Sequence, residues 1–452
     1  MRIAPFPHHH APRAPVTVHA AVRPCHLLRP LAVALMGASL LGSAQAQDPI
    51  KWQKPGLEIT PRLALEWDSL RNRQLRSSNQ RNQSELEASA RLTSRWQRDE
   101  RWGVVGEAEL SGSIERDTGT PTDHQTHLDI KQLYGEAQLQ EMGARVRLGR
   151  WSYADERTWF FDDDFDGLNA AFEQDFWHVE AIAARKGQWR RDLFNRHTDH
   201  QRGSKVLGAF GTLYLGNAHQ LILKGLHQND STNDLRLNHL VAGSLDQPGE
   251  GMQHWIIGSF VNGREKGRRI NGYAFDVGGT WFLDSNSQWN PRASVGYAWG
   301  SGDDGGGSDG SHRQTGMQTN KAYMGGVMDF KTYGTVLDPQ LSNIHVLTAG
   351  FGITPMKKSS VDLVLHHYRQ DKVAALTRTD LRPRADNQSS HALGHGIDVV
   401  WGWRPSRAWK MEATAGVFLP GSRFRSGTSA TAGKASKAWA ASFEVKYYPG
   451  RK

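Results

Sequence analysis

Residues 57–67 read Leu-Glu-Ile-Thr-Pro-Arg-Leu-Ala-Leu-Glu-Trp, with apolar Leu57, Ile59, Pro61, Leu63, Leu65 and Trp67 at every second position. Glu58, Thr60, Arg62 and Glu66 stand between them. Successive side chains of a strand point to opposite faces, so this segment is a strand with one oily face and one wet face. The same division recurs in Leu86, Ala88, Ala90, Leu92, Ser94 and Trp96 against Glu85, Glu87, Arg91 and Arg95. It returns near the far end, where Trp409, Met411, Ala413, Ala415 and Val417 alternate with Lys410, Glu412 and Thr414, and where Trp439 to Tyr447 alternate with Ser442, Glu444 and Lys446. A soluble sandwich buries the oily face against a second sheet, whereas a membrane barrel turns it to lipid and turns the polar face to a water-filled lumen.

The first 46 residues bear on that choice. Arg13, Arg23 and Arg29 precede an apolar run from Leu31 to Leu41, and Ala44-Gln45-Ala46 supplies small residues before Gln47. This is the pattern of a cleaved secretory signal, and the run is too short for a membrane helix of about 20 residues. The expected division is therefore a signal over 1–46 and a β-domain over 47–452. Cys25, the only cysteine, leaves with the signal, so no disulfide or thiol chemistry is expected. Removing the signal's four arginines from 55 basic residues leaves 51 against 46 acidic ones, a net of +5. Both signs are spread along the strands rather than gathered on one basic face, which argues against a nucleic-acid partner. Mean hydropathy is −0.60. That value excludes a helical membrane protein but suits a barrel, half of whose strand residues face water. Sixteen Trp and 47 Gly fit interfacial girdles and tight turns.

Connectors fall into two alternating length classes. Short ones lie near 97–101, 140–143, 173–175, 216–217, 246–250, 284–290, 354–359 and 405–407. Long polar ones lie near 69–83, 116–125, 152–165, 186–203, 229–234, 262–269, 301–341, 373–392 and 420–436. Short periplasmic turns and longer outer loops characterise outer-membrane barrels. Eight turns and nine loops predict an all-β, antiparallel transmembrane barrel of about 18 strands with both ends in the periplasm. The weakest strand is Leu235–Leu245, and its loss would break the even count.

Several segments resemble the outer-membrane alginate export porin family. Leu148-Gly149-Arg150 is followed by Asp155-Glu156-Arg157-Thr158-Trp159-Phe160 and by Asp163, Phe165, Asp166, Gly167 and Leu168. Arg313-Gln314-Thr315-Gly316-Met317-Gln318, Tyr333-Gly334 and Val336 to Asn343 form the most specific match. His367-Tyr368-Arg369-Gln370 and Asp398 to Arg404 complete it. The resemblance implies a monomeric 18-stranded barrel through which a linear anionic polyuronate leaves the periplasm, past an electropositive constriction partly closed by a loop. It also implies a periplasmic scaffold and a lipoprotein as partners, with lipids of the outer membrane around the wall and no cofactor.

Rings of arginine or lysine give anion pores their selectivity, and the planar guanidinium meets carboxylates bidentately without losing its charge. Inward parity nominates Arg62, Arg91, Arg95, Arg145, Arg147, Arg404 and Lys410 for the lumen. Glu66, Glu107, Glu109, Asp398 and Glu412 are available to brace them. Arg150 and Arg369 share parity with apolar neighbours, but both are kept with Arg157 as lumen candidates for substrate contact, and the resemblance favours turning Arg150 inward at Gly149. Asp155, Arg157 and Asp163 lie in a segment expected to fold into the lumen as a latch, with Asp398 and Glu412 as further constriction acids. Water-exposed ion pairs contribute little each, so such a latch would open cheaply. Asp303, Asp304 and Asp309 lack the regular ligand spacing of an EF-hand, and a flexible outer loop is expected there. His366 and His367 point to opposite faces of a strand and cannot share a metal. Gly306 to Gly310 spells GxSxG without the strand and helix that a nucleophile elbow needs. A barrel enzyme is the rival class, and no compact catalytic constellation supports it. Within transport, a porin for small anions or oligosaccharides is the alternative.

Overall fold

The computed structural model describes residues 56–187, 193–194, 203–216, 219–246, 251–284, 287–376, 378–383, 390–424 and 435–451. The expected signal lies outside them. Twenty strands follow in chain order: β1 (Gly56–Arg71), β2 (Gln83–Gln97), β3 (Trp102–Asp117), β4 (Asp123–Leu139), β5 (Ala144–Ala154), β6 (Asp162–Gln174), β7 (Trp177–Lys186), β8 (Lys205–Leu215), β9 (His219–Asp230), β10 (Leu235–Asp246), β11 (Met252–Glu265), β12 (Arg268–Phe282), β13 (Arg292–Gly300), β14 (Lys321–Ala322), β15 (Phe330–Lys331), β16 (Ile344–Ile353), β17 (Ser359–Arg369), β18 (Ala392–Ser406), β19 (Trp409–Pro420) and β20 (Ala438–Tyr447). Eighteen form one sheet of antiparallel neighbours, and pairing of β1 with β20 closes it. Closure leaves no edge strand to aggregate or to face lipid with unpaired backbone. The remaining two, β14 and β15, pair only with each other, inside the loop between β13 and β16.

The oily faces point outward. Leu65, Leu92, Leu148, Leu223, Ile256 and Leu363 stand between 39% and 66% exposed, the state expected of side chains that meet acyl tails rather than a second sheet. Trp96, Trp102, Trp281 and Trp409 lie on that outward side near the short-turn end, and Trp67, Tyr273 and Trp439 near the long-loop end. These are the two aromatic girdles. The strand at 235 is present as β10, in unbroken register with both neighbours.

Two expected outer loops differ. Polar residues 262–269 do not form a loop: β11 and β12 stay paired up to Glu265–Arg268 and turn over two residues. Their polar character reflects a ladder that rises above the lipid, not a break in it. Residues 301–341, expected as a long outer loop that is flexible around Asp303 to Asp309, instead fold back into the barrel and are largely buried there.

One part of the wall departs from the cylinder. The β4–β5 ladder runs from Leu139–Ala144 to Leu133–Arg150 and stops, although β4 begins at Asp123 and β5 continues to Ala154. Beyond that point β5 pairs only with β6, and this hairpin end leaves the wall. Leu193, in the loop after β7, donates its N–H to the Leu128 carbonyl of β4 at 2.7 Å. Gly149 makes the parting possible. Its φ is +130°, and a Cβ there would come within 2.2 Å of the Leu133 carbonyl oxygen.

Candidate functional site

The lumen is crossed by the 301–343 segment, which carries its own apolar side chains inward: Met317, Tyr333, Val336, Leu337 and Leu341 are each at most 3% exposed. Its tip reaches the short-turn end. There Arg292 of β13 holds Asp362 of β17 through one guanidinium nitrogen at 2.6 and 2.7 Å and donates from Nε to the Met324 carbonyl at 3.0 Å. Gly325 lies against this pair with φ +76°, where a Cβ would meet the Phe282 ring at 2.6 Å and Arg292 Cδ at 2.9 Å. Midway, Tyr333 accepts the Trp159 indole N–H at 2.8 Å and donates to Asp276 at 2.9 Å, while Asp398 accepts the Thr335 N–H at 2.9 Å. Burial, helped by the Asp276 charge, pushes the Tyr333 hydroxyl well above its ordinary pKa. Near the long-loop end His312 is fully buried between Ser259 Oγ at 3.0 Å and the Leu341 carbonyl at 2.7 Å. Burial holds it down to about 4, with Arg313 and Arg378 acting in the same direction. Arg313 and Arg378 share Glu265 at 2.7 and 3.0 Å, and Arg313 also holds Asp309 at 2.7 Å. Two of the aspartates considered above as a calcium loop are thus met by cations, Asp309 by Arg313 and Asp303 by Arg268 at 3.0 Å.

The tip of the β5–β6 hairpin joins this plug. Main-chain bonds run from Asp162 N to Met317 O at 2.7 Å and from Asn320 N to Thr158 O at 3.0 Å, and Gln314 and Thr315 side chains reach the carbonyls of Trp159 and Phe160. Asp155 folds the tip by accepting the N–H groups of Phe160 and Phe161 at 2.9 and 2.6 Å, and Lys224 of β9 reaches Asp155 and Glu156 at 3.4 and 3.3 Å. Arg157 lies 4.2 Å over the Trp255 ring and 3.7 Å from Asp276. Asp163 pairs with Lys186. The expected cheap latch of solvated ion pairs is corrected here: side chains of Lys224 and Asp155 are each 6% exposed, and those of Arg157 and Asp276 10% and 3%. Breaking one partner of a buried pair leaves an uncompensated charge and costs far more than a surface pair.

The nominated lumen cations separate into two groups. Arg62 and Arg91 both hold Glu109, at 3.0 and 2.7 Å, and Arg91 also holds Glu107 at 2.9 Å. Arg147 is held by Glu136 at 2.6 Å, and Lys410 by Glu412 at 2.8 Å. These four brace the wall. Arg95, Arg145 and Arg404 have no carboxylate oxygen within 4.0 Å among the described residues, and the Nε of each lacks a hydrogen-bond partner. All three sit near the short-turn end: Arg95 is opposite Glu58, Arg145 opposite Gln138, and the Arg404 N–H bonds to the Lys358 carbonyl of the 354–358 turn at 2.8 Å. Arg404 lies 3.4 Å from the Tyr323 hydroxyl, beside the plug tip. Arg150 is 1% exposed, bidentate to Asp166 at 2.6 and 2.8 Å and bonded to the Ile130 carbonyl at 3.0 Å, so it pins the strands where they part and has no free face for a passing chain. Arg369 is a correction. It stands opposite His345, on the outward face with Leu363, Leu365 and His367, because alternation runs unbroken along β17 and the register shift beside Arg369 falls on β18, where Leu393 is the extra residue.

Register also stacks like charges in rows. Glu412, Glu444, Glu66 and Glu87 oppose one another across four strands, and Asp68 opposes Glu85 one row further out. Lys410 and Lys446 form the next row toward the short turns, followed by Arg62 and Arg91. Like charges placed directly opposite destabilise a sheet, so these rows do not stabilise the wall through their mutual contacts. The acidic rows line a cavity of about 470 Å³ closed on its other side by Lys321, Lys331 and Asp338 of the plug. Lys331 holds Asp338 at 2.6 Å, yet burial raises that carboxyl to about 6. Glu444 and Lys446 were legible by the same parity as Glu412 and Lys410. Lys224, Arg292, Asp276 and Glu265 carried no local signal, since their roles depend on loops that arrive from far along the chain.

No curated protein matches the chain in sequence. Solved structures of similar fold are outer-membrane porins of Pseudomonas aeruginosa. OccK7 (OpdD) superposes with a TM-score of 0.55 at 12% identity, covering 87% of this chain and 98% of that one. OccK2 (OpdF) gives 0.53 at 12% identity over 87% and 99%, and OpdQ 0.52 at 9% over 86% and 98%. At these identities the likeness is one of fold. The Alginate export profile matches residues 57–437, nearly the whole barrel with both plug segments, and the chain belongs to this family of outer-membrane β-barrel porins.

Proposed function

We propose that this porin carries a linear, alginate-like polyuronate from the periplasm to the exterior. The observation that supports it is the trio of acid-free arginines, Arg95, Arg145 and Arg404, at the short-turn mouth, which is the periplasmic one in barrels of this kind. A polyuronate offers about one carboxylate per sugar. Conduction needs sites that attract each carboxylate yet release it, and several weak contacts in series satisfy both demands. Beyond the mouth, the braced cations Arg62, Arg91, Arg147 and Lys410 offer exchangeable contacts. The acidic rows above them repel the same polymer and hasten its release outward. Movement requires the plug to yield, and a periplasmic scaffold and lipoprotein beside a monomeric barrel are the partners this reading calls for. The tightly packed plug favours a second reading, passage of small uronates only.

Planar-bilayer recordings separate the two. For export, anion preference falls when Arg95, Arg145 and Arg404 are all replaced by Glu, and polyuronate chains block the current at far lower sugar concentration than monomers. Equal block by chain and monomer selects the small-solute reading. Unaltered reversal potentials in the triple variant sink the assignment of the mouth.

A further inference from the structure

Outside the lumen, three strand ends bring two imidazoles and a carboxylate together. His219 opens β9, Asp246 closes β10 directly opposite it, and His254 of β11 lies one residue beyond the last β10–β11 pair, Leu245–Trp255. All three share the outward face with Leu221, Leu240 and Ile256, at the short-turn rim. We propose that they form a zinc site.

The geometry is convergent. Asp246 meets His219 Nδ1 with one carboxylate oxygen and His254 Nδ1 with the other, the latter at 2.6 Å, and the candidate ligand atoms all lie within 4.8 Å of one another. The carboxylate is fixed from behind by the His254 main-chain N–H at 2.7 Å. His254 Nε2 lies 3.0 Å from Ser244 Oγ, which can accept its proton once a cation holds Nδ1. Metal-bound histidines are oriented in this way by a hydrogen bond from the other ring nitrogen. Both rings turn Nδ1 toward the carboxylate, so an entering cation would take the place of the Nδ1 protons and be shared by all three side chains. Modest side-chain rotation opens the contacts to the roughly 2.0–2.2 Å metal–ligand bonds of zinc. Imidazole nitrogen selects zinc-like transition metals over magnesium or calcium, which prefer oxygen. The Asp246 side chain is 4% exposed and that of His219 55%, so the fourth position opens on the aqueous rim. Bound there, the ion would tie three strands together and present one coordination position toward the periplasm.

The untagged barrel in detergent, stripped by chelator, is titrated with Zn²⁺ against a chromophoric competitor. One equivalent should bind, at least tenfold more weakly in Asp246→Asn and in the His219→Gln/His254→Gln pair. Binding should be unchanged in His367→Gln/His395→Gln, whose rings are 4.8 Å apart on the same outward face. Zinc-edge X-ray absorption of the loaded wild type, which needs no variant to fold, should report two imidazoles. No stoichiometric uptake, uptake surviving in the first histidine pair variant, uptake lost in the second, or an edge spectrum without imidazole would each overturn the site.

Discussion

His312 illustrates what a single side chain does in the plug. It is wholly buried, both ring nitrogens are bonded, and its pKa is about 4 against an ordinary 6.5. Because the folded value is depressed, the unfolded chain takes up the proton first. The contribution to stability is therefore complete above about 6.5 and is lost as pH falls toward 4. The loss amounts to about 3 kcal/mol, from roughly 1.4 kcal/mol per pKa unit. Urea midpoints in detergent should fall more steeply from pH 7 to 4 for the wild type than for His312→Gln, and parallel curves would reject the role. Parity nominates cations for the lumen, because period two is a local property of the chain. It did not find which of them are neutralised, because Glu109 reaches Arg62 from a strand two positions away in the sheet. Arg369 stands on the outward face, where its parity with Leu363 and Leu365 puts it, whereas Arg150, which also shares parity with apolar neighbours, is buried against Asp166.

At the scale of the element, the β5–β6 hairpin belongs to the wall in one half and to the plug at its tip. Its lower half is paired on both sides, while its tip is held by Lys224, Trp255 and Asp276 across the lumen. Lys224→Met would leave Asp155 without its cation, a change worth about 3–5 kcal/mol for a buried pair, and would also remove the contact to the more exposed Glu156. The tip should then swing free while the barrel persists. Trypsin added to the folded protein should cleave at Arg157, which is 8% exposed in the wild type, and single-channel current should become noisier. Continued protection of Arg157 would show that the backbone bonds to 314–320 suffice to hold the tip. Strand number and order were legible because turns and alternating faces are local. The parting of β4 from β5 was not, since nothing but the Gly149 backbone conformation marks it.

For the whole molecule, wall and plug are separable in principle. The wall is one closed ladder, and the 301–343 segment pairs with it through side chains and isolated main-chain bonds. Replacing 303–340 by a short Gly-Ser linker should leave a barrel that inserts in bilayers and conducts several-fold more current. Unchanged conductance would mean that the plug does not limit the path. The alternation of oily and polar residues, by itself, determined a closed barrel of 18 strands in a membrane, because the pleat gives every strand two faces and lipid accepts only one of them. Which cations meet a carboxylate, which loop enters the lumen and where the charge rows lie were decided by the tertiary structure. Those facts depend on register between strands and on side chains brought together from segments more than a hundred residues apart, as Trp159 and Tyr333 are.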